Sequence, residues 1–269
     1  MIYKVQGAPL YAYTGGKEFD ASKPTAVFIH GVLNDHSVWI LQTRYFANHG
    51  WNVLAIDLPG HGRSGGKAPT TVQEAAQSVI ALLDAAGVDK AILIGHSLGS
   101  LIAMQAAAEH PTRVAQLVMV GTAYPMRVSP ALLENSISNP NKAIDMVNVF
   151  SHSTLAPPPS ALGPGTWLLG GSKALMRRVL ASNPRENIFN IGFKACDQYD
   201  QGETAMSQVV CPTLFLLAKK DQMTPPKAAQ SLIQKARDGQ VAWVNAGHQM
   251  MVEAPEECLD AMLAFCKKS

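Results

Sequence analysis

Ala91-Ile-Leu-Ile-Gly-His-Ser-Leu-Gly-Ser100 contains the pattern Gly-x-Ser-x-Gly between an apolar run and an Ala-rich run that reaches Glu109. The first run predicts a strand, the second predicts a helix, and a sharp turn must join them. Gly95 and Gly99 have no Cβ atoms to clash in such a turn. The turn would lift the Ser97 hydroxyl above the sheet edge and place the next N–H at a helix N-terminus, where negative charge is favoured. This context favours a nucleophilic serine, although an incidental serine in a glycine-rich turn is the alternative.

Short apolar runs alternate with helical spacings along most of the chain. Residues 2–14 predict one or two edge strands. The other predicted strands are apolar along their whole length: 25–30, 51–56, 92–94, 114–120, 211–218 and 240–244. Fully apolar strands that alternate with helices are typical of a parallel sheet covered on both faces. We therefore expect an α/β fold.

Residues 124–208 interrupt this alternation, because they contain no run typical of a strand. Helices are predicted at 130–137, 140–150, 172–182 and 184–196, with breaks at Pro157-Pro-Pro159 and Gly163-Pro-Gly165. Apolar residues at helical spacing distinguish this stretch from a disordered linker. The expected organisation is a core domain of residues 1–123 and 209–269 with a helical cap, or lid, of residues 124–208.

Composition excludes several classes of function. The chain has 269 residues and a net charge of +2, with scattered Lys and Arg residues, so no footprint for nucleic acid is visible. No apolar run approaches the roughly 20 residues that span a membrane, and no signal peptide is visible at the N-terminus. The four cysteines form no CxxC pair and no metal-binding spacing. We expect a cytoplasmic protein without membrane insertion, as a monomer or a homodimer.

Three chemically complementary residues follow predicted strands. Ser97 follows its strand directly, Asp221 follows the strand that ends at residue 218, and His248 follows the last strand. The carboxyl ends of parallel strands meet at one edge of the sheet, where ligands bind. A serine hydroxyl needs a base to take its proton, and the base needs an orienting acid. The pattern predicts a catalytic triad of Ser97, His248 and Asp221.

Other residues at the same edge compete for these roles. The alternative bases are His30, His61 and His96, and the alternative acids are Asp35, Asp57 and Glu253. His96 lies inside the turn and should point away from Ser97. Asp57 precedes a turn rich in glycine and proline, which favours a structural role. The loop after Val120 carries no carboxylate, which removes another position for the acid.

An oxyanion needs two N–H donors. The residue after the nucleophile, Leu98, should supply one, and Val32, in the loop after the strand at 25–29, should supply the other. Residues at the same edge and in the cap are candidates for an apolar substrate pocket: Val32, Leu33, Trp39, Leu98, Tyr124, Met126, Trp167, Met223 and Met250. For Trp39 and several of the methionines, a place in the core is an equal alternative.

These motifs resemble the α/β-hydrolase superfamily, in its serine-nucleophile, esterase-like branch. The matching segments are His30-Gly31, Asp57-Leu-Pro-Gly-His-Gly-Arg-Ser64, Gly95-His-Ser-Leu-Gly99, Cys211-Pro-Thr-Leu214, Asp221 and Gly247-His248. The resemblance implies a mostly parallel eight-stranded sheet flanked by helices, with the cap inserted after strand 6. Related dehalogenases and epoxide hydrolases carry Asp in place of Ser97, which argues against both activities.

The resemblance also implies a reaction. Ser97 would attack a small or medium-sized carboxylic ester, His248 would move the proton, and Asp221 would hold the imidazole, with an acyl-enzyme as intermediate. No metal or organic cofactor is implied. Carbon–carbon bond hydrolysis, lactone or thioester hydrolysis, perhydrolysis and hydroxynitrile cleavage use the same scaffold and stay open. A ligand receptor without activity is a further alternative, although it would not need an intact triad.

Overall fold

An eight-stranded sheet forms the centre of the molecule in a computed structural model that describes residues 1–20, 22–153 and 166–267. The spatial order is β1-β2-β4-β3-β5-β6-β7-β8. The strands are β1 (Ile2–Val5), β2 (Ala8–Tyr13), β3 (Thr25–Ile29), β4 (Asn52–Ile56), β5 (Ala91–His96), β6 (Val114–Val120), β7 (Thr213–Ala218) and β8 (Gly239–Val244). Strands β1 and β2 pair antiparallel, and β3 to β8 pair parallel. The predicted fold class is confirmed.

Helices cover both faces of this sheet. They are α1 (Ile40–Asn48), α2 (Val72–Ala85), α3 (Leu98–Glu109), α4 (Pro130–Ser138), α5 (Pro140–Ser151), α6 (Leu168–Ser182), α7 (Ile188–Gln198), α8 (Gly202–Gln208), α9 (Gln230–Lys235), α10 (Met250–Glu253) and α11 (Pro255–Cys266). Short 3-10 helices occupy His36–Trp39 and Pro226–Ala229. Within the described ranges, no helix combines the length and the apolar character that crossing a membrane requires.

Strand β5 shows how the sheet separates two apolar layers. Its side chains alternate, so Leu93 packs with residues of α2 and α3, whereas Ile92 and Ile94 pack with residues of α11 on the opposite face. Both faces of β5 are therefore buried, which is why its sequence is apolar throughout.

Local sequence accounts for where the helices begin. The Thr71 hydroxyl accepts a hydrogen bond from the Glu74 N–H at the start of α2, and the Glu74 carboxylate accepts one from the Thr70 N–H. The side chain of Asn139 caps α5 in the same way, with Pro140 in the first turn.

The helices between β6 and β7 divide between two layers. A third apolar cluster contains residues of α4, α5, α6 and α7, and it also holds Leu33 from the loop after β3. Helix α8, which was not predicted from the sequence, instead packs on α3 and contributes Met206 to the core beneath the sheet. The boundaries of the cap at residues 124 and 208 stay a prediction, and the breaks predicted at 157–159 and 163–165 lie outside the described residues.

Candidate active site

Ser97 lies between the end of β5 and the start of α3, with φ 54° and ψ −120°. This left-handed φ is costly for a residue with a side chain and persists where the surroundings impose it. The crowding is visible at both neighbouring glycines. A Cβ on Gly95 would overlap the carbonyl of Gly99, and a Cβ on Gly99 would overlap that of Ile29. The spacing of the glycines is therefore what permits the turn that presents Ser97.

His248 and Asp221 form a buried pair at the same edge of the sheet. The Nδ1–H of His248 donates to Oδ2 of Asp221 over 2.8 Å. The other carboxylate oxygen, Oδ1, accepts from the N–H groups of Met223 and Thr224, at 2.9 and 2.8 Å. Burial opposes ionisation of Asp221, but His248 and these hydrogen bonds outweigh it and lower the pKa of the carboxyl. An ionised Asp221 fixes the tautomer of His248 and leaves its Nε2 as the proton acceptor.

The Thr224 hydroxyl joins this pair, and the sequence analysis missed it. Its Oγ1 lies 2.7 Å from Oδ2 of Asp221, 3.0 Å from Nδ1 of His248 and 2.9 Å from the carbonyl oxygen of Gly121. Thr224 thereby links Asp221, His248 and the loop after β6. The only signal in the sequence is its position three residues after Asp221.

Glu253, one of the alternative acids, forms hydrogen bonds that stabilise the histidine loop, which is the loop of residues 245–249 that carries His248. Its carboxylate accepts from the N–H of Gly247 at 2.6 Å and from the N–H of Ser153 at 2.8 Å. A Cβ on Gly247 would lie 2.7 Å from the carbonyl oxygen of Ser151. The end of α5 therefore lies directly against the loop that carries His248.

Two of the alternative bases have both structural hydrogen bonds and unfavourable burial. Nε2 of His30 accepts from the Leu58 N–H at 3.1 Å, so its Nδ1–H donates to the Gly31 carbonyl at 2.8 Å. The Nε2–H of His96 donates to the carbonyl oxygen of His248 at 3.0 Å. Complete burial is the main reason that the pKa of His96 falls to about 3. Both imidazoles stay neutral, and their hydrogen bonds stabilise the loops at this edge of the sheet.

His61 and Asp57 also have structural partners. Nδ1 of His61 bonds to the carbonyl of Pro59, and burial lowers the pKa of the ring to about 4. Asp57 accepts from the backbone N–H groups of His36 and Arg63. These hydrogen bonds stabilise the loop after β4. They give Asp57 a structural role instead of the role of a catalytic acid.

Among the described residues, Asp35, His36 and Asp57 bring their ligand atoms within 4.8 Å of one another. The ligand atoms of this cluster already have hydrogen-bond partners within the protein. Asp35 accepts from the Ser37 N–H and pairs with Arg178 at 2.7 Å, and Nδ1 of His36 lies 2.7 Å from Oδ1 of Asp57. These contacts fit a structural network that links α6 to the core better than a metal site.

A cavity of about 290 Å³ is lined by both Ser97 and His248. Most of its wall is apolar: Val32, Met126, Val128, Leu132, Val147, Phe150, Met176, Phe189, Phe193 and Met223. Three of the predicted pocket residues, Val32, Met126 and Met223, are among them. The rest of the apolar wall comes largely from α4, α5, α6 and α7, for which the sequence carries no motif.

The structure places the other predicted pocket side chains elsewhere. Trp39 and Met250 are fully buried in the apolar layer that packs on α11, and Leu33 is fully buried among α4, α5, α6 and α7. The ring of Tyr124 lies against Gly202 at the start of α8. Trp167 is 62% exposed and lies over Gly170 at the start of α6. A large apolar side chain near the site in sequence can thus pack into either layer of the core.

The backbone N–H groups of Val32 and Leu98 have no hydrogen-bond partner in the described part of the chain. A Cβ on Gly31 would lie 3.0 Å from the Cβ of Ser97, so this glycine lets the loop after β3 approach Ser97. On the cap side, Gly192 of α7 packs against the side chains of both residues, since a Cβ there would lie 3.3 Å from Val32 and 3.7 Å from Leu98. Two unpaired donors beside a serine fit an oxyanion hole.

Comparison with known proteins places this arrangement in a family. Two acetyltransferase components of acetoin cleaving systems are similar: that of Cupriavidus necator is 36% identical over 41% of this chain, and that of Pseudomonas putida is 25% identical over 90%. The chain spans only 28% and 63% of their respective lengths. An esterase from Exiguobacterium antarcticum has the same fold, with a TM-score of 0.82, 17% identity and coverage of 99% of this chain and 98% of the esterase. The sequence model of the alpha/beta hydrolase family matches residues 26–261, and the chain belongs to that family.

Proposed function

We propose that this protein is a serine hydrolase that cleaves carboxylic esters through a triad of Ser97, His248 and Asp221. One observation carries the proposal: Ser97, strained at its turn, and His248, bonded to a buried carboxylate, line the same cavity. Membership of the α/β-hydrolase family supports hydrolysis as the reaction class. The cavity's apolar wall supports esters with small or medium-sized apolar groups.

The reaction begins when Oγ of Ser97 attacks the ester carbonyl carbon while its proton passes to Nε2 of His248. The carbonyl oxygen becomes an oxyanion, and the N–H groups of Val32 and Leu98 donate to it. Asp221 stabilises the imidazolium that forms. Collapse of the intermediate breaks the bond to the alcohol, which leaves with the proton from Nε2.

The second half repeats these steps with water. His248 takes a proton from a water molecule, and the resulting oxygen nucleophile attacks the acyl carbon. The bond to Oγ of Ser97 then breaks, Ser97 regains its proton from His248, and the carboxylic acid leaves. Thr224 and Glu253 do not touch the reacting atoms in this scheme, and they position the acid and the histidine loop.

A fluorophosphonate probe followed by peptide mapping tests the nucleophile. We expect an adduct on Ser97, a burst of nitrophenol from 4-nitrophenyl butanoate, and loss of both in Ser97→Ala. Ser207→Ala is the matched control, because Ser207 is exposed on α8 and its hydroxyl bonds only to its own helix. Equal hydrolysis by wild type and Ser97→Ala would refute the proposal.

A further inference from the structure

Three polar side chains in the wall of the cavity have polar atoms without a hydrogen-bond partner among the described residues. Gln249 is 4% exposed, and within that part of the chain only its backbone forms hydrogen bonds. Ser151 is 1% exposed, and its Oγ has no partner among the described residues. Asn34 is 4% exposed, its Oδ1 has no partner, and its Nδ2 reaches the Val32 carbonyl only at 3.4 Å. All three residues line the cavity.

Their placement puts these groups close to the reacting atoms. Gln249 follows His248 directly, and its N–H donates to the Ser151 carbonyl at 3.0 Å. Asn34 lies two residues after Val32, whose N–H is the proposed oxyanion donor. Gln249 and Asn34 therefore belong to loops that flank the proposed catalytic residues, and Ser151 is the last residue of α5, whose other lining residues are apolar.

Unpaired buried polar groups destabilise a protein by about 1–3 kcal/mol each, and native proteins retain few of them. Hydrophobic residues of similar size would avoid this cost at Ser151 and Asn34. A ligand that carries a hydrogen-bonding group can supply the missing partners. The site should bind such a ligand more tightly than an analogue without that group, because the analogue leaves the polar atoms unpaired. The arrangement is thus explained by a polar feature of the substrate.

The charges around the cavity indicate that this feature is neutral. No Asp or Glu residue in the described part of the chain lines the wall. Arg127 lines it but is exposed, and its guanidinium donates to the carbonyl oxygen of Asp197 at 2.6 Å. The nearby carboxylate of Glu253 is not part of the wall, and it already accepts from the N–H groups of Gly247 and Ser153.

We propose that the substrate is an ester that carries a neutral hydrogen-bonding group, a hydroxyl or an amide, near its scissile carbonyl, with an apolar chain under the cap. The inference rests on the proposed ester hydrolysis and names its substrate class. Gln249 and Ser151 recognise the polar group, and Asn34 contributes on the side of the oxyanion hole.

Matched ester pairs test this proposal. The acyl side is compared with 4-nitrophenyl 3-hydroxybutanoate and 4-nitrophenyl butanoate, and the alcohol side with 2-hydroxyethyl butanoate and propyl butanoate. One neutral hydrogen bond predicts that kcat/KM of the wild type favours the hydroxylated ester about tenfold in at least one pair. Hydrolysis of none of the four esters would refute the proposed function itself. Hydrolysis without a preference in either pair would refute only the substrate class.

Two variants locate the recognition. Gln249→Met keeps the length of the side chain and removes its amide, and Ser151→Ala removes one hydroxyl, so each should reduce the preference at least threefold. The ratio within one enzyme cancels any general loss of activity, and Ser151→Ala keeps the test decisive if Gln249→Met does not fold. Gln77→Leu, on the exposed side of α2, is the matched control and should keep the wild-type ratio. A preference that persists in both Gln249→Met and Ser151→Ala would overturn the assignment.

Discussion

Replacing Thr224 by valine removes the hydroxyl that bridges Asp221 and His248 while it keeps the shape of the side chain. In the native protein, Oδ2 of Asp221 has two neighbours that can donate, Nδ1 of His248 at 2.8 Å and the Thr224 hydroxyl at 2.7 Å. In Thr224→Val it keeps only the first, and the carbonyl of Gly121 loses its contact at 2.9 Å. The position of the Asp221 carboxylate is then fixed by fewer hydrogen bonds, so it orients the His248 imidazole less well.

The size of the effect follows from the kind of bond that is lost. A hydrogen bond to a charged group contributes about 1.5–3 kcal/mol. Taking about 2 kcal/mol, the melting temperature should fall by about 4 to 8 °C for a chain of this size. If the same energy is lost from the transition state, kcat/KM should fall by up to about thirtyfold. Because Asp221 becomes easier to protonate, the acid limb of the pH–activity profile should also move to higher pH.

The assay compares wild type, Thr224→Val and Thr224→Ser by thermal unfolding and by hydrolysis of 4-nitrophenyl butanoate from pH 4 to 9. Serine restores the hydroxyl, so Thr224→Ser should recover most of the activity and the wild-type pH profile. A merely structural role would lower stability without moving that profile. Wild-type kinetics in Thr224→Val, or equal losses in both variants, would refute the reasoning.

Three further predictions follow from contacts around the site. Gly99→Ala should destabilise the protein by about 3 kcal/mol or more, because the added Cβ would overlap the Ile29 carbonyl, and urea unfolding measures this loss. Gly171→Ala is the control. Gly171 faces open space on α6, so this substitution should be neutral or stabilising. Glu253→Gln should lower stability by about 1–3 kcal/mol, because one amide oxygen cannot accept from both N–H groups as the carboxylate does; an unchanged unfolding midpoint would contradict this. His96 has a pKa of about 3 when folded, against an ordinary value of 6.5, so the unfolded chain binds more protons between these values. Stability should therefore decrease as pH falls below 6.5, by up to about 1.4 kcal/mol per pH unit from His96, and more gently in His96→Gln.

The parts of the fold that were predictable have strong local signals. Strands such as β3 and β5 are buried on both faces, so their sequences are apolar throughout, and the turn at Ser97 needs glycines at fixed positions. The proposed acid and base stand out because they follow predicted strands by three and four residues, although β8, unlike β3 and β5, is largely exposed. Helix α8 was missed because it is short and polar on its outer side.

The side chains of the pocket were harder to predict for a physical reason. Trp39 and Met250 are as apolar as Met126, and only the path of the backbone decides which of them faces the cavity and which faces α11. Hydrogen bonds between distant segments raise the same difficulty. The bond from the Ser153 N–H to Glu253 and the contact of Ser151 with Gly247 depend on where α5 ends in the folded structure, and no local sequence pattern predicts that position.

The contacts of the helices in the predicted cap with Leu33, Val32, Leu98 and Gly247 bear on how this enzyme family could be re-engineered. Exchanging a cap between relatives is an attractive route to new specificity, on the assumption that a lid and a catalytic core are independent modules. Here α7 packs against both proposed oxyanion residues, and the end of α5 packs against the histidine loop. A cap from a relative would lack the surfaces that stabilise those loops. A chimera would need to carry the loop at 31–35 and the loop at 245–249 together with its cap.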